Sequence, residues 1–597
     1  MTQIQHRIEA LRSAMKNEGI AACIIPGTDP HASEYIADYW KEREWISGFD
    51  GSAGTVAFTL EKAGLWTDSR YFLQGSEQLA DTGISLMKQG LADTPELITW
   101  ICSELKPGEK VGVNAQMFSV NAYTAMKNEL TANGIQLVSV DLMQLVWTER
   151  PALPQHPFYI FDVKYNGKRA ADKLQTLRTE MAKANADYLV LSALDDIAWL
   201  YNIRSNDVTY NPVVIAYSVI NAQQATLYID ENKLTPETKA YLASEGIETA
   251  DYLSIYTQLK NIPQGKSVLI DGAKLNQSLK EALPISCLIR NQMSPVFKLK
   301  SIKNQTEVEG IRIAMIKDGV ALTRFFMWLE NNLASGKLTE MSISDKLYEF
   351  RKAQENLVGE SFGTIAGYNA HGAIVHYRAT ENSDATLKPE GILLLDSGGQ
   401  YLDGTTDITR TIALGEATRE QKSDFTLVLK GHIALAKAIF PSGTRGSQLD
   451  ILARKALWDM GLNYGHGTGH GVGHFLNVHE GPQSIRMDEN PAILQAGMII
   501  SNEPGMYRTG EYGIRTENLI HVIPATTTEF GDFLEFETLT LFPIDRNLME
   551  IMLINEEESE WIDDYHRKVF ESLAPHLRMD EQIWLKNKCM PIYDLVN

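Results

Sequence analysis

Gly465-His466-Gly467-Thr468-Gly469-His470-Gly471-Val472-Gly473, followed by His474 and then by Asn477-Val478-His479-Glu480-Gly481, is the stretch from which the rest of this 597-residue chain is read. Glycine at five alternate positions gives the backbone conformational freedom and leaves room for close approach. The histidines between them can then be aimed into a site that bulkier neighbours would block. The register fits neither phosphate-cradling pattern, G-x-G-x-x-G or G-x-x-x-x-G-K-[ST], and no lysine follows. A zincin helix would need a second histidine at 483, where the chain has Gln483. Histidines without thiolates point to a metal or acid–base site completed by carboxylates from elsewhere.

Four acids sit in the apolar company such a site needs. The run 391–396, G-I-L-L-L-D, reads as a strand ending in Asp396, followed by a turn at Ser397-Gly398-Gly399 and a second strand running through 405–409, which carries Asp407. Facing Cα atoms in antiparallel strands lie about 4.5 to 5.5 Å apart, so both aspartates line one site if the register brings them together. Glu503 closes the run 498–502, and Glu517 lies inside the apolar run 513–520. Taken singly, each acid reads as a turn cap or a salt-bridge partner. A charge beside a buried strand costs several kcal/mol unless it is paired or bound to metal. Asp396, Asp407, Glu503 and Glu517 with His470 make four carboxylates and one imidazole, a set suited to two divalent cations about 3.5 to 4 Å apart. Two such ions balance the four negative charges; without them the acids repel and some must stay protonated. Oxygen-rich ligation with one imidazole and no thiolate points to Mn²⁺, with Co²⁺ or Zn²⁺ as the other candidates.

Asp396, D-G-T-T-D ending at Asp407, G-H-G-T-G-H-G-V-G, N-V-H-E-G-P at 477–482, S-N-E-P-G at 501–505 and I-R-T-E-N at 514–518 closely resemble, in that order, the dinuclear-metal peptidases of the aminopeptidase P, prolidase and methionine aminopeptidase group. The resemblance implies an α+β fold whose C-terminal domain is a pita-bread (creatinase/aminopeptidase-like) catalytic domain. In it Asp407 and Glu517 bridge both metals, Asp396 holds one ion, and His470 with Glu503 holds the other. Glu503 also takes the proton of the water that becomes the bridging hydroxide. A metal-bound water can have a pKa near 7, so a neighbouring carboxylate is a competent acceptor. His376, in I-V-H-Y-R at 374–378, and His466 and His479 are implied to bind substrate and stabilise the tetrahedral intermediate. His474 is an additional imidazole outside the ligand set.

Upstream, the 1–19 segment reads as an amphipathic helix leading into a strand at 21–25. Leu11, Arg12 and Met15 recur as Leu177, Arg178 and Met181, again followed by an apolar strand, at 188–191. This suggests two α/β domains of one design in tandem. Three prolines in 151–157 mark the seam between them. The expected division is therefore 1–154, 155–297 and 298–597, the last carrying long helices at 307–329, 342–354, 418–440 and 447–460 and a helical C-terminal extension from 547. The lysines at 298, 300 and 303 read as a solvated helix start. Tandem creatinase-N-like domains, with W-T-D-S-R-Y at 66–71 in the first, make the chain look like three-domain aminopeptidase P (Xaa-Pro aminopeptidase), whereas prolidase has one such domain. The implied reaction is hydrolysis of the bond between an N-terminal residue and a following proline, in a homodimeric enzyme.

Bulk properties agree with that class. A formal charge of -21 opposes a nucleic-acid or anionic-membrane surface, both of which require a basic field. No run approaches ~18 consecutive apolar residues, so no membrane span is expected. The N-terminus has no apolar signal region, and Cys23, Cys102, Cys287 and Cys589 form no C-x-x-C pair. They read as free buried thiols, and the expected compartment is the cytoplasm. Three rival functions remain. Prolidase (Xaa-Pro dipeptidase) shares the ligand pattern. A serine hydrolase would use Ser361 in G-E-S-F-G at 359–363, although the pattern predicts a helix before that motif and a strand after it, the reverse of a nucleophile elbow. A non-catalytic scaffold of the same fold would be expected to have lost ligands that are all present here.

Overall fold

The computed structural model describes residues 2–592. Met1 of the expected first helix and 593–597 at the end of the expected third domain lie outside the described residues. The chain forms two compact units, one built from residues up to Val163 and from Lys168–Lys298, the other from Lys164–Gly167 and the residues from Leu299 on.

In the first unit, helix α1 (Gln3–Asn17) starts at Thr2, whose hydroxyl accepts from Gln5 N–H while the Gln5 side chain accepts from Thr2 N–H. Its Leu11 and Met15 pack against a sheet of strands β1 (Ala22–Pro26), β2 (Thr55–Thr59), β3 (Ala63–Thr67), β4 (Ser85–Lys88), β5 (Lys110–Val113) and β6 (Gln136–Ser139), ordered β4-β3-β2-β1-β5-β6. A second sheet runs Glu248–Ala250, Ala225–Ile229, Ala216–Asn221, Tyr188–Leu191, Ser267–Ile270, Leu288–Asn291, which is the same order repeated. The repeat extends to side chains. Leu11 and Leu177 are both fully buried, and Arg12 and Arg178 each donate through Nε to the last carbonyl of the equivalent strand, Thr59 O at 3.1 Å and Asn221 O at 3.0 Å. The copies join at equivalent helix N-caps, where Ser119 pairs with Asn276 in an antiparallel bridge. The three-proline segment forms neither helix nor strand.

The second unit repeats one plan twice, a helix pair followed by an antiparallel sheet. Helices Gln305–Asn332 and Glu340–Lys352 pack together ahead of strands Ile365–Tyr368, Ile392–Ser397 and Ile408–Ala413. Helices Arg419–Ala436 and Asp450–Trp458 do the same ahead of Ile499–Asn502, Asn518–Thr528 and Gly531–Thr538. One apolar core, including Ile311, Phe425, Ile499, Leu519 and the C-terminal Ile562 and Leu573, ties both halves to the final helices. Every residue of Ile392–Ser397 is buried, so a carboxylate within it needs a compensating partner.

Three local expectations change. The strand expected through 405–409 breaks at Thr406 and Asp407, between Gly404–Thr405 and Ile408–Ala413, so Asp407 occupies a gap in the ladder. Lys300 and Lys303 are buried, at 1% and 5% exposure, and not solvated; both face Glu480. Cys102 and Cys589 are half-buried, unlike Cys23 and Cys287. Among the described residues no helix is long and apolar enough to cross a membrane.

Candidate metal centre

Register explains how residues more than a hundred positions apart meet. In the first half Asp396 lies opposite Thr409 and Ser397 opposite Ile408. One further step places Gly398 opposite Asp407, so Asp396 and Asp407 share a face, two positions out of register. In the second half Asn502 lies opposite Asn518. One step beyond, Glu503 faces Glu517. The halves are stitched at this point by Glu517 N–H, which donates to Thr409 O at 3.1 Å, while Glu503 N–H donates within the second half to Thr468 O at 2.8 Å.

The glycine-rich stretch brings His470 to the same place, through packing and not through unusual dihedrals. None of its five glycines has positive φ. A Cβ on Gly469 would lie 1.9 Å from Ser501 O, and one on Gly471 2.0 Å from Glu480 O. Glycine is required because two backbones touch there.

Asp407, His470 and Glu517 offer ligand atoms that all lie within 4.8 Å of one another. His470 Nδ1 is 3.0 Å from Gly471 O. Nδ1 is the donor in that contact, so in the uncharged ring Nε2 carries the lone pair. Nε2 sits 3.5 Å from both Asp407 Oδ2 and Glu503 Oε1. In the uncharged ring, Nε2 presents beside those oxygens a lone pair that a cation among them would accept, and a ring whose other nitrogen donates to a carbonyl is the usual arrangement of a metal-binding histidine. Asp396 joins through Arg515, whose Nη2 donates to Asp396 Oδ2 at 2.6 Å, while the buried Asp396 Oδ1 has no hydrogen-bond partner among the described residues. Electrostatics agrees. Burial, then the charges of Glu517, Asp396 and Glu503, raise the Asp407 carboxyl well above its ordinary range. Burial and Glu517 do the same to Glu503, and burial and Asp396 to Glu517. The donor set therefore fits divalent cations.

Two residues to which the sequence pattern assigns no role organise the rim. Arg515, fully buried, donates to Asp396, to Tyr507 OH at 2.7 Å and to Thr409 Oγ1 at 3.2 Å. Thr409 in turn donates to Glu517 Oε2 at 2.7 Å. Tyr507, its phenol pushed up to about 12 chiefly by burial, lies 2.8 Å from His466 Nε2. His466 Nδ1 is 2.8 Å from Gly467 O, so Nε2 is the acceptor and Tyr507 the donor. Arg515 closes the strand Tyr512–Arg515 and Glu517 lies in the gap before Asn518–Thr528, so strand alternation does not mark Arg515 and only its nearness to Glu517 in the chain hints at it. Nothing in the sequence marked Tyr507.

Of the other candidate histidines, one is in direct contact with the His470 ring. His479 meets the His470 ring edge to face, centroids 4.4 Å apart. His376 lies half-buried in a turn whose preceding carbonyl, Val375 O, accepts from Arg515 at 3.4 Å. That turn is clasped by buried Glu340, which accepts from Tyr368 N–H, Tyr377 OH and Ala385 N–H and meets His371 Nδ1 at 2.8 Å. His474 is buried, with Nε2 towards Gly310.

Ser361 has a strand before it, Leu357–Glu360, and not the expected helix. The strand Ile365–Tyr368 comes after it, as expected, and Ser361 is fully buried with Oγ donating to Thr406 O at 2.8 Å. Replacing Ser361 with Ala therefore removes one buried hydrogen bond, worth about 1 kcal/mol. Peptidase assays of Ser361→Ala should show turnover within about tenfold of the parent chain, where loss of a nucleophile costs on the order of a millionfold.

Comparison with known proteins gives a consistent result. Residues 309–524 match the model of metallopeptidase family M24 and 532–592 that of the C-terminal region of peptidase M24. Residues 7–150 and 149–307 match models of the creatinase/prolidase N-terminal domain. The chain is 42% identical to a probable Xaa-Pro aminopeptidase P of Laccaria bicolor, over 98% of this chain and 93% of that one. It is 40% identical to Xaa-Pro aminopeptidase 1 of Dictyostelium discoideum, over 99% and 97%. The solved X-prolyl aminopeptidase of Caenorhabditis elegans, described as a cytosolic enzyme with a di-nuclear active site, superposes with a TM-score of 0.95 at 35% identity, covering 99% of this chain and all of that one. A Bacillus anthracis Xaa-Pro dipeptidase shares the fold over 63% of this chain, with a TM-score of 0.51 at 23% identity.

Proposed function

This chain belongs to metallopeptidase family M24, and from that premise we infer that it is an Xaa-Pro aminopeptidase, hydrolysing the bond between an N-terminal residue and a following proline. The observation that carries the site assignment is His470 Nε2 lying 3.5 Å from both Asp407 and Glu503, with Asp407, His470 and Glu517 offering ligand atoms within 4.8 Å of one another. Asp396, Asp407, Glu503, Glu517 and His470 would hold two divalent ions, Mn²⁺ being the first choice for so oxygen-rich a set. Bound there, the ions supply Lewis acidity and an ionised water at neutral pH.

The protein's own groups do the rest. Glu503, half-buried and directed at the centre, accepts the proton of the attacking water and returns it to the proline nitrogen as the C–N bond breaks. Arg515 fixes Asp396 in orientation, and the Arg515–Tyr507–His466 chain fixes the neutral tautomer of His466 with Nε2 as acceptor. His376, His466 and His479 are the groups assigned to bind substrate and stabilise the tetrahedral intermediate; with both ring nitrogens of His466 engaged by Gly467 O and Tyr507, donation to the scissile carbonyl oxygen falls to His376 and His479. The proposed domain division is 1–154, 155–297 and 298–597. A homodimer in the cytoplasm, acting on peptides with proline second, is the proposed working form.

A substrate panel tests the specificity. After metal removal and graded return of Mn²⁺, X-Pro-Y tripeptides should be cleaved faster than X-Pro dipeptides and Met-Ala-type peptides, by tenfold or more. Turnover of dipeptides alone would make the enzyme a prolidase.

A further inference from the structure

Glu480 follows His479 directly, and three observations place it under unusual control. Its carboxylate is buried and accepts from Lys303 Nζ at 2.5 Å, and Lys300 Nζ lies 3.5 Å from its other oxygen. Both lysines are themselves buried. Lys303 is held in turn, its Nζ donating to Lys300 O at 2.9 Å and its N–H to Gly497 O at 2.9 Å. Glu480 N–H also donates to Gly471 O at 2.8 Å, the carbonyl that fixes the tautomer of His470.

Two buried cations around one buried anion are a poor device for stability, because the desolvation cost rivals the Coulombic gain and apolar residues of the same volume serve as well. Their geometric effect is definite. The loop between His470 and Glu480 is closed at its neck by the Glu480–Gly471 bond and pinned at its tip, where Leu476 O accepts from Gln400 Nε2 at 2.6 Å. The Lys303–Glu480 bond sets where the neck sits relative to the rest of the unit. His479 projects from that neck to meet the His470 ring at 4.4 Å. A shift of about 1 Å at such a place costs up to a hundredfold in rate.

We propose that Glu480, held by Lys303 and Lys300, is a positioning residue that fixes the His479 ring against His470. The inference rests on the assignment of His479 to substrate, and a double-mutant cycle separates the two. Lys303→Met keeps the length of the side chain and removes its charge; in the parent enzyme it should lower kcat about tenfold or more, with KM changed less than threefold. In a His479→Ala background the same substitution should cost less than threefold, since the group being positioned is gone. Mn²⁺ affinity of the stripped protein, measured by competition with a chelating dye, should stay within threefold of the parent for Lys303→Met. Should Lys303→Met fail to fold, Glu480→Gln, which keeps the shape of the carboxylate, carries the same cycle. Equal losses in both backgrounds, or a tenfold loss of metal affinity, would overturn the proposal. Parental turnover by His479→Ala alone would instead sink the assignment of His479.

Discussion

Glu517→Gln should lower kcat/KM for an X-Pro-Y tripeptide by about a thousandfold, corresponding to about 4 kcal/mol of lost transition-state stabilisation. The protein should also retain fewer than two divalent ions after dialysis. Glu517 faces Glu503 across the end of one ladder and receives Thr409 Oγ1 from the other, so it is the acid at which the two halves of the catalytic unit meet. The amide has the size of the carboxylate and keeps an oxygen for Thr409, so the fold has little reason to change. It places an N–H where Asp407 and His470 offer ligand atoms within 4.8 Å, and it takes one negative charge from the set that must balance two cations. Metal analysis alongside initial rates decides the matter. Two ions retained, with turnover within tenfold of the parent, would remove Glu517 from the centre.

Stripping the metal should make thermal stability fall as pH rises, in the opposite sense to the usual surface carboxylate. Burial and mutual repulsion raise Asp407, Glu503 and Glu517 above their ordinary values in the folded, metal-free chain. A carboxyl raised on folding contributes stability that is fully present below its unfolded pKa, near 4, and is lost as pH climbs through the raised folded value. Each tenfold gain in proton affinity on folding is worth about 1.4 kcal/mol. Three such groups in one unit act in the same direction, so the midpoint of that unit falls as pH rises. With divalent ions bound the carboxylates are neutralised as anions and the trend disappears. The gap in midpoint between loaded and stripped protein should accordingly be small at pH 5 and widen by pH 8. Calorimetry of both forms across that range measures it, and a gap that stays constant would show that the acids do not repel one another in the empty centre.

Much of this was legible in the chain. Carboxylates closing apolar runs at Asp396 and Glu503 are costly placements that demand a partner or a metal, and several of them together with a histidine point to one site. The tandem repeat could be read from Leu11 and Leu177 because buried helix positions keep their residue type, and the structure shows both at zero exposure. Local context failed at Ser361, where the short strand Leu357–Glu360 lay too close to the preceding helix to register as a separate element. At the glycine-rich stretch half of the reading holds: room for close approach is what Ser501 O and Glu480 O require, while none of the five glycines uses a left-handed backbone.

The sequence alone determined the kind of chemistry, because a residue's charge, its donor type and the apolarity of its neighbours are properties of the chain itself. It determined the repeated helix-and-strand plan for the same reason, since periodicity is local. Only the tertiary structure decided which charges are buried together. Lys303 reads as a solvated lysine in its own segment and becomes a buried ion-pair partner only through Glu480, 177 positions later. Arg515 and Tyr507 likewise acquire their roles from partners, Asp396 and His466, that lie far from them along the chain. Desolvation and hydrogen-bond geometry depend on what surrounds a group in space, and spacing along the chain carries no record of that.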